Sequence, residues 1–104
     1  MTRLLVAGLA VVALALTSCE QRLSPSAERG RQVFLAQCVT CHGPDPAQAG
    51  PVGPAVKGSS RELLEAKVLR GAYPPGYTPK RSTKVMVPMP ALAGEIGALA
   101  DYLR

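Results

Sequence analysis

The stretch that decides the fold runs from residue 30 to residue 43, Gly-Arg-Gln-Val-Phe-Leu-Ala-Gln-Cys-Val-Thr-Cys-His-Gly. It ends in two cysteines and a histidine, at positions 38, 41 and 42. On a helix, positions i, i+3 and i+4 share one face, so Cys38, Cys41 and His42 would lie side by side. Gly30 and Phe34 extend the same stripe backwards at a spacing of four residues. We therefore predict one helix that presents two thiols and an imidazole on a single face.

A Cys-x-x-Cys-His pattern indicates covalent attachment of a c-type haem. Cys38 and Cys41 would form the two thioether bonds, and His42 would reach the iron. The composition fits this hypothesis, because the 104 residues include no Trp, one Phe and three Tyr. A single small domain with so few large side chains needs a staple or a cofactor to complete its core. One haem c would supply that missing apolar body.

The N-terminus reads as an export signal. Arg3 precedes the uncharged apolar run from Leu4 to Leu16, which is shorter than the roughly 20 residues that span a bilayer and fits a signal peptide. The run ends in Leu-Thr-Ser-Cys19, which resembles the lipobox of bacterial lipoproteins. We expect a signal peptide over residues 1–18, lipidation of Cys19, a membrane-tethering linker over 19–24 and the folded domain over 25–104.

Export with a lipid anchor would place the protein on a bacterial membrane, facing the periplasm or the cell exterior. Conventional signal cleavage, which would leave Cys19 as a free thiol, is the alternative. The cysteine count favours lipidation, because an exported protein would otherwise carry one odd thiol beside the two assigned to the haem.

The rest of the chain predicts an all-α fold of three helices and two long loops wrapped around one haem. The first helix would begin at Ser24-Pro25, with Ser26 as the other candidate cap, and run to about Cys41. The second would begin at Ser59, with Glu62 at capping-box spacing, and end at Gly71. The third would begin at Ala91 or Gly94 and end at Leu103. Prolines and glycines exclude regular structure from the segments between them.

Taken together, these features resemble a small class I, mono-haem cytochrome c. The resemblance begins at Gly30 and Phe34 before the haem motif. The segment Gly-Pro-Ala-Val-Lys-Gly at 53–58 is similar to the family's Gly-Pro-x-Leu-x-Gly loop, with Val56 in place of leucine. A Met- and Pro-rich segment follows, and Glu-Ile-x-x-Leu-x-x-Tyr-Leu at 95–103 is similar to the closing helix.

The resemblance implies two sets of contacts. The first and last helices would cross with Gly30 and Phe34 against Leu99 and Tyr102. The carbonyl of Pro54 would accept a hydrogen bond from the ring nitrogen of His42 that does not bind iron, which would fix the tautomer of the ligand.

The resemblance also implies a methionine as the sixth iron ligand, either Met86 or Met89. The Met89-Pro90 dipeptide is common in the family and favours Met89. Two features favour Met86. Met86 leaves a longer connection to the last helix, and Met-Val-Pro-Met-Pro at 86–90 aligns with the Met-Pro-Pro-Phe-Pro segment of relatives, in which the ligand methionine comes first. We assign Met86 as the ligand and expect Met89 to fill the core.

With His42 and Met86 bound to the iron, no coordination position would remain for a substrate. We therefore expect the protein to carry single electrons between membrane or periplasmic redox complexes and not to act as an enzyme. Lys80, Arg81 and Lys84 would favour partners with an acidic docking face. We expect a monomer and find no nucleic-acid motif. A haem-based sensor or peroxidase-like subunit with a displaceable methionine is the main alternative. The sequence lacks the βαβ pattern that a thiol–disulfide oxidoreductase would need, and it lacks the further ligands that a zinc site would need.

Overall fold

The computed structural model describes residues 22–104, and in this range the chain is helical, with no β-strand. The predicted signal peptide at 1–18 and the predicted lipidation site at Cys19 lie outside the described residues. The all-α prediction is confirmed for the described part, where three helical regions are joined by two long loops. The helical elements are α1 (Pro25–Gln37), α2 (Val39–His42), α3 (Arg61–Leu64), a π-helical turn (Glu65–Leu69), a 3₁₀ helix (Pro90–Glu95) and α4 (Ile96–Leu103).

The first helical region begins as the sequence predicts and ends in two pieces. Ser24 is the cap, because its Oγ accepts a hydrogen bond from the Ala27 amide at 3.1 Å, and Pro25 occupies the first turn. We predicted one continuous helix to about Cys41, but the helix breaks at Cys38, where φ is −119° and ψ is −26°. Helix α2 then runs from Val39 to His42, and Gly43 caps its end. The break therefore falls on the first cysteine of the motif.

The start of the second helix is one residue later than predicted. The Oγ of Ser60, and not of Ser59, accepts from the Leu63 amide at 3.1 Å. Ser59 instead donates its hydroxyl to the Val56 carbonyl at 2.5 Å, so that side chain closes the preceding loop and is not available as a cap. The region continues into the π-helical turn and ends before Gly71, whose φ of +65° is a conformation that glycine adopts easily.

Helices α1 and α4 form the centre of the core. A Cβ added to Gly30 would meet the backbone carbonyl oxygen of Ala98, so the two helices approach backbone to backbone. The rings of Phe34 and Tyr102 lie beside this contact with their centroids 5.6 Å apart. Phe34, Ile96 and Leu99 are the largest fully buried side chains in the described part. The predicted crossing of the first and last helices is confirmed.

The third helical region begins as a 3₁₀ helix at Pro90 and becomes α-helical at Ile96. The guanidinium of Arg29 on α1 holds the carboxylate of Glu95 through two hydrogen bonds of 2.6 and 3.1 Å. This pair ties the end of the 3₁₀ helix to α1 at the surface. The helical frame leaves its two long loops, residues 43–60 and 70–89, to form most of the site described next.

Candidate haem-binding site

One apolar cavity of about 400 Å³ opens between the two long loops and the helical core. Its volume falls in the range of about 300–1,000 Å³ that is typical of cofactor and ligand sites. Phe34, Leu64, Val68 and Leu99 of the core form part of the lining. All five haem-site residues predicted from the sequence also line it, namely Cys38, Cys41, His42, Pro54 and Met86. The fold therefore brings together groups that are up to 48 positions apart in the sequence.

The haem motif forms one tight turn at the edge of this cavity. The Cys38 carbonyl accepts from the amides of Cys41 at 3.3 Å and His42 at 3.0 Å. Cys38 is half-buried and Cys41 is exposed, and neither is in a disulfide. Burial raises the pKa of the Cys38 thiol above its ordinary value, so an unattached thiol there is neutral at pH 7. Both sulfur atoms are available for thioether bonds.

The imidazole of His42 is held by the backbone of the first loop. Its Nδ1 lies 2.8 Å from the carbonyl oxygen of Pro54. A carbonyl can only accept, so Nδ1 carries a proton, and in the neutral imidazole Nε2 then keeps its lone pair. Among residues 22–104 no hydrogen-bond partner is found for Nε2. The contact predicted between His42 and Pro54 is present, and it leaves the imidazole in the tautomer that can bind a metal.

Gly53 is a site residue that the sequence reasoning did not single out. A Cβ at this position would lie 2.5 Å from both Nδ1 and Cε1 of His42, so the ring packs directly on the glycine backbone. The amides of Val52 and Gly53 both donate to the Cys41 carbonyl, at 3.1 and 2.8 Å. The loop is thereby fastened to the motif immediately before the histidine. The glycine of the Gly-Pro pair was the sequence feature from which this close packing could have been predicted.

Met86 and Met89 both line the cavity and both are partly buried against the core. Their neighbours differ. Met86 lies between Val85 and Val87, whose side chains are 63% and 73% exposed. The backbone amide of Met89 donates to the carbonyl of Val68 in the π-helical turn at 2.6 Å. The cavity thus contains both candidate thioethers on the segment where the sequence predicts the sixth ligand.

A polar group at the cavity also went unpredicted. The rings of Tyr73 and Tyr77 stack with centroids 5.4 Å apart, and the Lys67 ammonium lies 4.5 Å from the centre of the Tyr73 ring. Pro75 and Gly76 form the turn between the tyrosines, in which the Tyr77 amide donates to the Pro74 carbonyl at 3.1 Å. Proline followed by a glycine with φ of +79° is the usual composition of a type II turn. The Tyr-Pro-Pro-Gly-Tyr sequence was the signal for this stack.

Comparison with protein families agrees with this geometry. The family model of cytochrome c matches the chain over residues 27–104. The chain belongs to the cytochrome c family. No curated protein matches the sequence significantly.

As a cytochrome c domain, the protein binds one haem c covalently through Cys38 and Cys41. The structure fits this group, since it offers two unpaired thiols, a histidine with a free Nε2 and an apolar cavity in one place. The domain is a c-type electron carrier that exchanges electrons with redox partners.

Residues 22–104 contain no cluster of three or more His, Cys, Asp or Glu side chains that could hold a metal ion. None of the helices described is both long and apolar enough to cross a membrane.

Proposed function

We propose that this cytochrome c carries single electrons between membrane or periplasmic redox complexes, with His42 and Met86 as the axial ligands of its haem iron. One observation carries the proposal: a single apolar cavity is lined by Cys38, Cys41 and His42 from the motif and by Met86 from the second loop. The haem supplies a one-electron change at its iron. The remaining steps concern what the chain does for that change.

His42 is suited to be a permanent ligand. The Pro54 carbonyl fixes the proton on Nδ1, and such a bond orients the ring and makes the other nitrogen a stronger donor. Gly53 supports the ring from the side, because the two are in direct contact. The imidazole therefore loses little rotational freedom when it binds iron.

Met86 is favoured over Met89 by the course of the backbone around it. Val85 and Val87 line the cavity at its exposed edge, whereas Met86 between them is partly buried against the core. Among the described residues no hydrogen bond ties the backbone of Met86 to the core. Met89 is fastened through its amide to Val68, which suits a side chain that fills the core. A soft thioether paired with imidazole raises the haem potential relative to harder ligand pairs.

The surface around the cavity suits brief contacts with other proteins. Val52, Val85 and Val87 are exposed and line the cavity. Arg81 also lines it, and Lys84 is exposed in the same segment. An apolar patch beside basic side chains would favour an acidic docking face, with association that weakens as salt is added. We infer that this edge of the protein meets the redox partner and that the protein acts as a monomer.

Export and anchoring complete the proposal. We infer that residues 1–18 are removed as a signal peptide and that Cys19 carries lipid. The linker that follows is short, since six residues reach at most about 20 Å. The cytochrome domain would therefore work close to the membrane surface, where membrane redox complexes expose their docking sites.

The test combines haem retention with two matched methionine variants. Haem should stay with the polypeptide after denaturation and solvent extraction, because thioether bonds survive both. Met86→Ala should lower the reduction potential and change the low-spin spectrum, whereas Met89→Ala should leave the ligand spectrum unchanged. The reverse result would assign Met89 as the ligand. Rapid peroxide turnover by the ferric wild-type protein would favour a peroxidase over a carrier.

A further inference from the structure

The two loops that form the cavity are joined by one side chain. The Lys80 ammonium in the second loop donates to the carbonyl oxygen of Ala55 in the first loop, with Nζ and O 2.8 Å apart. Within residues 22–104 this is the only hydrogen bond between segment 43–60 and segment 70–89. Both residues also line the cavity. Lys80 therefore bridges the cavity from one loop to the other.

The segment that carries Met86 is fastened at its two ends and free between them. At one end is the Lys80 bond. At the other end, the Met89 amide donates to the Val68 carbonyl at 2.6 Å. Pro88 also packs against Gly71, where an added Cβ would lie 3.0 Å from the proline ring. Between these ends, residues 81–87 make no hydrogen bond to the part of the chain that the structure describes. The position of Met86 depends on both fastenings.

Ala55, which accepts the Lys80 hydrogen bond, is next in the chain to the residue that holds the His42 ring. Ala55 follows Pro54, whose carbonyl holds the His42 ring. The Lys80 bond thus connects the peptide next to the histidine support with the segment that presents the methionine. Lys84 offers a contrast, since it lies on the same segment, is exposed and makes no hydrogen bond or ion pair among residues 22–104.

We propose that Lys80 is a positioning residue that keeps segment 81–87 closed over the cavity and so slows the release of Met86 from the iron. This inference rests on the proposed ligation by Met86. Opening the segment requires the Lys80 bond to break, so its loss should raise the frequency of opening. A charge-assisted hydrogen bond is stronger than a neutral one, but exposure to water weakens it. We expect removal of the bond to accelerate ligand release roughly three- to tenfold.

The experiment measures how fast imidazole displaces the protein ligand from the ferric holoprotein, at imidazole concentrations where the rate no longer depends on imidazole. The variants are Lys80→Leu, Lys80→Arg, Lys84→Leu and Met86→Ala. Lys80→Leu should react three- to tenfold faster than the wild type, and Lys80→Arg should restore the slow rate because a guanidinium can still donate. Lys84→Leu removes the same charge from the same segment and should react at the wild-type rate.

The outcomes separate the inference from the function on which it rests. If Met86→Ala binds imidazole no faster than the wild type and keeps the same spectrum, the proposed ligation fails. If Met86→Ala is fast but Lys80→Leu and Lys84→Leu have equal rates, the ligation stands and the Lys80 proposal is overturned. Hydrogen exchange gives a readout that does not depend on exogenous ligand. The amide of Met89, which donates to the Val68 carbonyl at the far end of the segment, should exchange faster in Lys80→Leu and at the wild-type rate in Lys84→Leu.

Discussion

The close packing of His42 on Gly53 predicts a large effect from a single methyl group. In Gly53→Ala the new Cβ would lie 2.5 Å from Nδ1 and Cε1 of the ring. Atoms of this kind are in favourable contact at about 3.5–4.0 Å, so the ring must move by about 1 Å. The Nδ1 to Pro54 distance of 2.8 Å would then exceed the range of a hydrogen bond.

The expected cost has two parts. Overpacking of this kind typically destabilises a protein by about 1–3 kcal/mol, and the lost hydrogen bond adds about 1 kcal/mol. The free energy of unfolding should fall by about 2–4 kcal/mol, which is a large part of the stability of a small domain. Without the Pro54 bond the imidazole becomes a weaker donor, so the ferric state is less stabilised and the reduction potential should rise.

Denaturant unfolding of the holoprotein, followed by the haem absorbance, measures the first effect, and a redox titration measures the second. Gly94→Ala is the matched control, because a Cβ at Gly94 has nothing within 4 Å. Its stability should stay within about 0.5 kcal/mol of the wild type. If Gly53→Ala unfolds at the same denaturant concentration as Gly94→Ala and has the wild-type potential, then the ring is not fixed by its contact with the loop.

Three further substitutions test other parts of the molecule. Gly30→Ala should lower the free energy of unfolding by about 1–3 kcal/mol, because its Cβ meets the Ala98 carbonyl; an unchanged unfolding midpoint would contradict the close crossing. Arg29 lowers the pKa of Glu95 below its ordinary value of 4.5, so the pair stabilises the fold above that pH and loses its effect as the pH falls through the lowered pKa. The stability difference between wild type and Glu95→Gln should therefore vanish in acid, and a pH-independent difference would refute the ion pair as its cause. Cys19→Ser should move the protein to the soluble fraction, and continued membrane association would reject the lipid anchor.

The sequence was most informative where a residue type at a given position favours one local structure. Serine followed by proline predicted the start of α1, and the family resemblance at Gly30 and Phe34 implied the crossing with α4. Both predictions are confirmed by the contacts of those residues. The contact between His42 and Pro54 followed from the family resemblance, because nothing in the residue pattern alone relates two positions twelve apart.

The sequence was less informative where neighbouring residues compete for one role. Ser59 and Ser60 have the same hydroxyl, and only the position of the Val56 carbonyl makes Ser60 the cap. The bond from Lys80 to Ala55 depends on how two irregular loops meet, which no local periodicity encodes. The choice between Met86 and Met89 stays a prediction, since both side chains reach the same cavity.

The π-helical turn at Glu65–Leu69 constrains the length of the chain. Such a turn holds its hydrogen bonds one residue further apart than an α-helix does, and here the Val68 carbonyl receives the Met89 amide. Deletion of one residue within the turn can be absorbed by a return to the α-helical register, whereas insertion of one more residue would rotate everything after it by about 100°. An insertion before Val68 would therefore turn its carbonyl away from the Met89 amide. Single-residue insertions should be poorly tolerated at 65–67, whereas the loop at 72–79, which ends before the Lys80 contact, can change length without turning any carbonyl that the methionine segment uses.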